Sequence, residues 1–163
     1  MSSNVIIQKR ICIEPEFLDS NIEQNIFNKL KKSTVNQCSK EFGYILDIVK
    51  LIEIKDNYIS NASSEIVFEV MFEIETLKPE IDKIFTGDVC MIFVGGIFLN
   101  IKNKIKVLIP ITTMKDYKFI QSEKIFKKDK IVIKQGDVLN VKITGIKYQK
   151  KNYNCYGELV DEI

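Results

Sequence analysis

The chain has 163 residues, 45% of them hydrophobic, with a formal net charge of +2 and neither histidine nor tryptophan. That length accommodates one domain or two small ones, and no apolar run approaches the ~20 residues that span a bilayer. Without histidine, Ser-His-Asp and Cys-His catalysis, histidine metal ligands and a histidine proton shuttle are excluded. Four cysteines stand far apart at Cys12, Cys38, Cys90 and Cys155. No close pair gives a zinc spacing, so no metal is expected. Cys12 and Cys90 fall in apolar strands and are expected as buried free thiols. The start, Met1-Ser2-Ser3-Asn4-Val5, lacks a basic segment followed by an apolar one, so the expectation is a chain without signal peptide in a reducing intracellular compartment.

Val5 to Ile13 is rich in β-branched residues and predicts a strand. Pro15-Glu16 breaks it and opens a short helical turn. Ser20-Asn21-Ile22-Glu23 has the form of a capping box, with Ser20 accepting from a backbone amide and Glu23 reaching back. Leu18, Ile22, Ile26 and Leu30, with Phe27 beside them, predict one apolar stripe of a helix ending near Lys32. Gly43 permits a tight or left-handed backbone before a strand from Tyr44 toward Ile54. Asp56-Asn57-Tyr58 and Asn61-Ala62-Ser63-Ser64 are turn material. From Glu65 to Glu75 the pattern alternates. Ile66, Phe68, Val70, Phe72 and Ile74 take one face; Glu69, Glu73 and Glu75 take the other. These glutamates are read as solvated strand residues, since nothing places a pocket beside them, and no catalytic residue is expected. Strand, helix and further strands predict a small α+β domain over residues 1–80, ended by Lys78-Pro79-Glu80.

Gly87 to Pro110 predicts three short strands, with turns at Gly95-Gly96 and Lys102-Asn103. Ile97, Leu99 and Ile101 share one face of the middle strand; Phe98, Asn100 and Lys102 share the other. On the next strand Ile105, Val107 and Ile109 oppose Lys104 and Lys106. A lone aromatic thus stands among lysines and an asparagine, opposite an aliphatic face. Core packing does not explain it. Stacking of a nucleic-acid base does, with lysines for phosphate; a solvated basic face with Phe98 covered by a partner or a loop is the other explanation. Pro110 to Met114 predicts a short helical turn, and Asp116 to Lys130 a long charged surface connection. Ile131–Lys134, Gly136–Ile143 and Cys155–Val160 supply the remaining strands. Five or so strands with a short helix after the third predict an all-β Greek-key barrel, the OB fold, over residues 81–163.

Charge follows the same division. Residues 1–80 hold 9 basic and 13 acidic residues, a net of −4; residues 81–163 hold 15 and 9, a net of +6. The basic excess belongs to the half with the aromatic, as nucleic-acid binding requires. Arg10 is the only arginine, so phosphate contacts in the basic half fall to lysine point charges. The candidate RNA-binding residues are Phe98, Lys102, Lys104 and Lys106, extended by Lys147, Tyr148, Lys150 and Lys151. No phosphate-cradling glycine loop or metal cluster appears, so neither enzyme activity nor a cofactor is expected.

Gly87-x-Val89-x-x-Ile92-x-x-x-Gly96-x-Phe98-Leu99, Ile109-Pro110 and Gly136-Asp137-x-Leu139-x-Val141 resemble the ribosomal-protein type of RNA-binding OB domain. Cys38-Ser39-Lys40-Glu41-Phe42-Gly43-Tyr44-Ile45-Leu46, Glu14-Pro15-Glu16-Phe17, and Lys78-Pro79 leading into Gly87-Asp88-Val89 are similar to the stalk subunit of multisubunit DNA-directed RNA polymerases. That is the seventh subunit of eukaryotic polymerase II and its archaeal equivalent, and the resemblance covers essentially the whole chain. It implies a non-catalytic subunit. The tip domain would dock on polymerase core subunits near the clamp through Lys40, Glu41, Phe42, Gly43 and Tyr44. The OB domain, beside the RNA exit path, would bind nascent single-stranded RNA. A small helical fourth-subunit partner would pack against the protein, and no membrane is involved. Phe42 suits a docking contact or a plug for its own core equally well. Glu41 stands where the family usually has lysine, Pro110 where many such OB domains have histidine, and Gly95 where an aromatic precedes the turn glycine. The alternative is a free-standing RNA-binding protein of translation or RNA decay. The isoleucine, lysine and asparagine bias marks an AT-rich genome; with short loops it fits a large DNA virus, and an AT-rich cellular eukaryote as well. The expected location is a nucleus if cellular, or the virion or host cytoplasm or nucleus if viral.

Overall fold

A computed structural model describes residues 2–59 and 64–160; the turn expected at Asn61-Ala62-Ser63 lies outside the described residues. The chain divides into two compact units, Ser2–Lys78 and a second that begins at Pro79.

In the first unit, β1 (Ser3–Ile13), β2 (Cys38–Ser39), β3 (Gly43–Ile59) and β4 (Ile66–Leu77) form an antiparallel sheet in the order β1-β4-β3-β2, and helix α1 spans Ile22–Thr34. The alternation of β4 has the expected consequence. Phe68, Val70, Phe72 and Ile74 are buried and Ile66 packs against the same core, while Glu69, Glu73 and Glu75 are half-buried on the opposite face. Ile26 and Leu30 of α1 are fully buried against this core with Ile11 and Ile13 of β1. A helix of this length is marginal alone; burying each large aliphatic side chain, at roughly 1.5–3 kcal/mol, keeps it folded.

Two local expectations are corrected. The N-cap of α1 is Asn21 rather than Ser20, and its side chain makes no capping bond. The Asp19 carboxylate instead accepts from the Asn21 backbone amide at 2.8 Å and from Asn25 Nδ2 at 3.1 Å, tying down the entry without a capping box. Leu18 ends the preceding 3-10 turn, Pro15–Phe17, and is exposed, so it leaves the helical stripe.

Strand β3 runs on through Asp56-Asn57-Tyr58, expected as a turn, because these residues pair with Glu69, Phe68 and Val67 of β4, and it departs from two-residue periodicity. Its register against β4 skips a residue between Ile45 and Asp47, Ile48 and Lys50, Leu51 and Glu53, and Ile54 and Asp56. A bulge at every third residue returns Ile45, Ile48, Leu51 and Ile54 to the face of Phe72 and Ile74, and leaves Val49 and Ile52 exposed. Each inserted residue increases the local twist, so the 17-residue strand coils against the 12-residue β4.

In the second unit, β5 (Ile84–Phe93), β6 (Gly96–Ile101), β7 (Ile105–Pro110), β11 (Val138–Gln149) and β12 (Asn152–Leu159) close into a barrel in the order β11-β12-β7-β6-β5, with β5 pairing back onto β11. A 3-10 turn, Ile111–Thr113, follows the third barrel strand. Phe85, Val89, Ile97, Leu99, Ile101, Ile105, Val107, Ile109, Val141 and Ile143 are buried inside. The chain is therefore an α+β unit followed by an OB-type barrel, as expected. Four of the barrel's five pairings are antiparallel; β12 and β7 run parallel.

The charged connection after Met114 is not a plain loop. Strands β8 (Lys118–Ile120), β9 (Ile125–Lys128) and β10 (Ile131–Ile133) form a sheet of their own in the order β10-β9-β8. Phe126 is fully buried there with its ring 5.3 Å from Phe119, so an aromatic pair anchors a segment rich in lysine. The cysteine expectation is also corrected. All four thiols are free, but Cys12 is exposed on the outer face of β1, Cys90 is half-buried at a bulge, and Cys155 is the buried one.

Candidate nucleic-acid interface

Residues directly opposite on neighbouring strands share a face. On the outside of the barrel the register sets Met91, Phe98, Leu108 and Tyr156 in one row across β5, β6, β7 and β12. Two residues along lies a second row, Asp88, Asn100, Lys106, Asn154 and Lys147, which continues onto β11. The rows are ~7 Å apart. The first is apolar and aromatic, with Met91 53% and Tyr156 49% exposed; the second is polar and carries two exposed lysines.

Phe98 is half-buried and is not a lone aromatic. Its ring lies 5.6 Å from that of Phe93, with 15° between the planes. The Phe93 ring in turn covers Gly95, where a Cβ would sit 2.6 Å from Phe93 Cε2. The pair forms because a bulge between Val89 and Met91 shifts β5 by one residue and brings Phe93 to the outer face.

The lysines divide by position. Lys106 and Lys147 lie on the outer strand face. Lys102 and Lys104 do not, because β6 ends at Ile101 and β7 starts at Ile105; Lys102 and Asn103 take left-handed φ angles of 49° and 59° in the turn between them. Lys150 and Lys151 form the turn from β11 to β12, with φ of 52° and 59°. The parallel pairing sets Asn154 beside Lys106, so both turns stand at one end of the barrel. The six candidate lysines therefore gather around that end. Tyr148 does not join them on the outer face. The register shift between Ile143 and Gly145 pairs it with buried Tyr153, and the two rings lie 4.9 Å apart, bracing the barrel end.

Sequence reasoning missed Phe93, Leu108 and Tyr156. Tyr156 had a local signal, since inward-facing Tyr153, Cys155 and Gly157 alternate with it. Leu108 had the same signal from inward-facing Ile105, Val107 and Ile109, but nothing in the sequence set it beside Tyr156.

In the first unit, the five residues expected in the docking loop fall into two groups. Lys40 and Glu41 are exposed and Phe42 is half-buried, whereas Gly43 and Tyr44 are buried beneath them. Ser39 Oγ accepts the Phe42 amide at 3.0 Å, and Lys78 Nζ donates to the Glu41 carbonyl at 3.0 Å. Gly43 has φ of 79°, and a Cβ there would lie 2.3 Å from the Leu77 carbonyl oxygen. Phe42 lines an open groove of about 460 Å³ with Ile6, Ile7, Cys38 and Ile45.

Two family models match the chain in succession: an SHS2 domain found in N terminus of Rpb7p/Rpc25p/MJ0397 over residues 8–67, and an S1 RNA binding domain over residues 78–155. The chain is 30% identical over 116 residues to DNA-directed RNA polymerase V subunit 7 of Arabidopsis thaliana, covering 70% of this chain and 65% of that one. It is 21% identical to DNA-directed RNA polymerase II subunit 7 of the same plant, covering 60% and 56%. Against DNA-directed RNA polymerase II subunit RPB7 of Glycine max the identity is 18%, covering 99% and 94%. Together these matches support the seventh-subunit stalk family of RNA polymerases. The matched stretch spans less than two thirds of each Arabidopsis subunit. A solved structure, the apo form of Mycoplasma genitalium RNase R, is 32% identical, with a TM-score of 0.40 over 49% of this chain and 13% of that one.

The departures from the OB-domain pattern at Gly95 and Pro110, and from the stalk family's pattern at Glu41, now have places. At Gly95 the missing aromatic is replaced in space by Phe93, whose ring occupies the room a side chain would need. Pro110 pairs with Gly96 and caps the 3-10 turn of Ile111–Thr113. Glu41 offers its backbone carbonyl to Lys78, and its own side chain stays on the surface.

Proposed function

We propose that this chain is a non-catalytic stalk subunit of a DNA-directed RNA polymerase. Its first unit docks on the polymerase core near the clamp through Lys40, Glu41 and Phe42, with a fourth-subunit-like partner in the same stalk. Its barrel binds nascent single-stranded RNA during transcription. The observation that carries this is the order of the two family matches, an Rpb7-type N-terminal domain followed directly by an S1 RNA binding domain. The barrel face supports it physically: aromatic rings beside lysines offer stacking for bases and charge for phosphates without demanding a sequence. No helix among the described residues is long and apolar enough to cross a membrane, and none of their His, Cys, Asp and Glu side chains cluster as a metal site.

The test is affinity purification of the tagged chain from its native source, followed by identification of the co-purifying chains. Polymerase core subunits in stoichiometric amount are expected. A monomer that binds RNA tightly and carries no polymerase subunit would instead mark a free-standing RNA-binding protein.

A further inference from the structure

The barrel carries a second aromatic surface that the Phe93–Phe98 pair does not explain. Tyr156 stands on β12, opposite Leu108 of β7, which is itself opposite Phe98 of β6. Two interstrand steps separate Tyr156 from Phe98, ~10 Å. The Tyr156 ring lies against β11: a Cβ added at Gly145 would sit 3.3 Å from Tyr156 Cδ2 and 3.5 Å from Tyr156 Cβ. The backbone of a glycine thus supports one side of the residue, while 49% of its surface remains exposed. The glycine falls where the β11–β12 register shifts, so the bulge creates the bed in which the ring rests.

The surroundings decide what such a ring is for. Beside it, along the second row, lie Lys106, Asn154 and Lys147. The acidic group two residues along on the other side, Glu158, is 3.9 Å from Lys142 and so is partly offset. An exposed aromatic with its back to a glycine, flanked by cations and amides, fits a π-stacked base with its phosphates on the lysine side.

We infer that Tyr156 is a second base-stacking platform, and that single-stranded RNA crosses the strands from Phe98 over Leu108 to Tyr156, with its phosphates along Lys106 and Lys147. This rests on the RNA-binding role proposed above and specifies the path of the strand. Leu108, between the two platforms, supplies apolar contact without a ring.

The experiment measures binding of the full chain to a fluorescein-labelled oligouridylate of about 12 nucleotides by fluorescence anisotropy, within the site size of one OB fold. The variants are Phe98→Ala, Tyr156→Ala, Tyr156→Phe and Gly145→Val. Tyr156→Ala is expected to weaken binding about tenfold or more, the loss of one stacked base, with an unchanged salt slope. Tyr156→Phe should bind like wild type, because the ring and not the hydroxyl stacks. Gly145→Val should weaken binding by lifting the ring from its bed. If Phe98→Ala weakens binding and Tyr156→Ala does not, the platform is overturned and the RNA-binding barrel stands. A Tyr156→Phe as weak as Tyr156→Ala also overturns stacking. If wild type binds no RNA at all, the RNA-binding role falls and the platform with it.

Discussion

Phe93 and Phe98 stack with ring centroids 5.6 Å apart and 15° between their planes, and Phe93 rests over Gly95. The two residues lie on neighbouring strands but not in register; Phe93 pairs with Gly96, and Phe98 pairs with Met91. The stack is therefore a diagonal contact, and the Phe93 ring needs the absence of a side chain at Gly95.

Such a pair contributes about 0.5–1.5 kcal/mol beyond its burial. A double-mutant cycle with Phe93→Leu and Phe98→Leu, measured by urea denaturation of the full chain, is expected to return a coupling energy in that range. Additive single effects would mean the rings touch without stabilising one another.

The outer-face lysines should act through charge alone. Lys106→Ala and Lys147→Ala are each expected to flatten the slope of log affinity against log salt by about 0.7 for single-stranded RNA, one phosphate contact apiece. Lys83→Ala is the control: Lys83 is paired with Glu80 at 2.9 Å, and the slope should not change. The measurement is a salt titration of RNA affinity.

Adjacent positions in the loop of the first unit should separate docking from folding. Gly43→Ala forces an L side chain into φ of 79° with its Cβ against the Leu77 carbonyl; the expected loss of stability is at least about 2 kcal/mol, read by thermal or urea denaturation. Phe42→Ala removes a half-buried ring from an open groove and is expected to leave melting nearly unchanged while reducing co-purification of polymerase subunits several-fold. A Phe42→Ala protein that unfolds would make that ring part of its own core.

Burial pushes the Cys155 thiol up to about 11 from an ordinary value of 9.0. Between those values the folded chain keeps a proton that the unfolded chain has lost, so stability falls as pH rises from about 9 through 11. Cys155→Ala should lessen that fall relative to wild type in urea denaturation at about pH 8 and about pH 11. Under native conditions an alkylating reagent should modify exposed Cys12 well before Cys155.

Local pattern determined a good deal of this protein. The alternation of β4 assigns Phe68, Val70, Phe72 and Ile74 to the core, and the spacing of Ile26 and Leu30 assigns a helix face to it, because both periods follow from backbone geometry alone. The inward set of β6 and β7 was legible for the same reason, and so was the placement of Phe98 and Lys106 on the outer face. Tertiary structure decided the rest. In β3 the core residues recur at Ile45, Ile48, Leu51 and Ile54, a spacing of three that neither period contains and that only bulges against β4 produce. The charged run after Met114 folds around Phe126, whose burial depends on partners that the charge count conceals. Above all, the parallel pairing of β12 with β7 sets Tyr156 beside Leu108, and the turn lysines 150 and 151 at the same barrel end as 102 and 104. Barrel closure is a global condition on strand order and stagger. Residues far apart in sequence become neighbours through it, and nothing in either strand alone encodes which neighbour it will have.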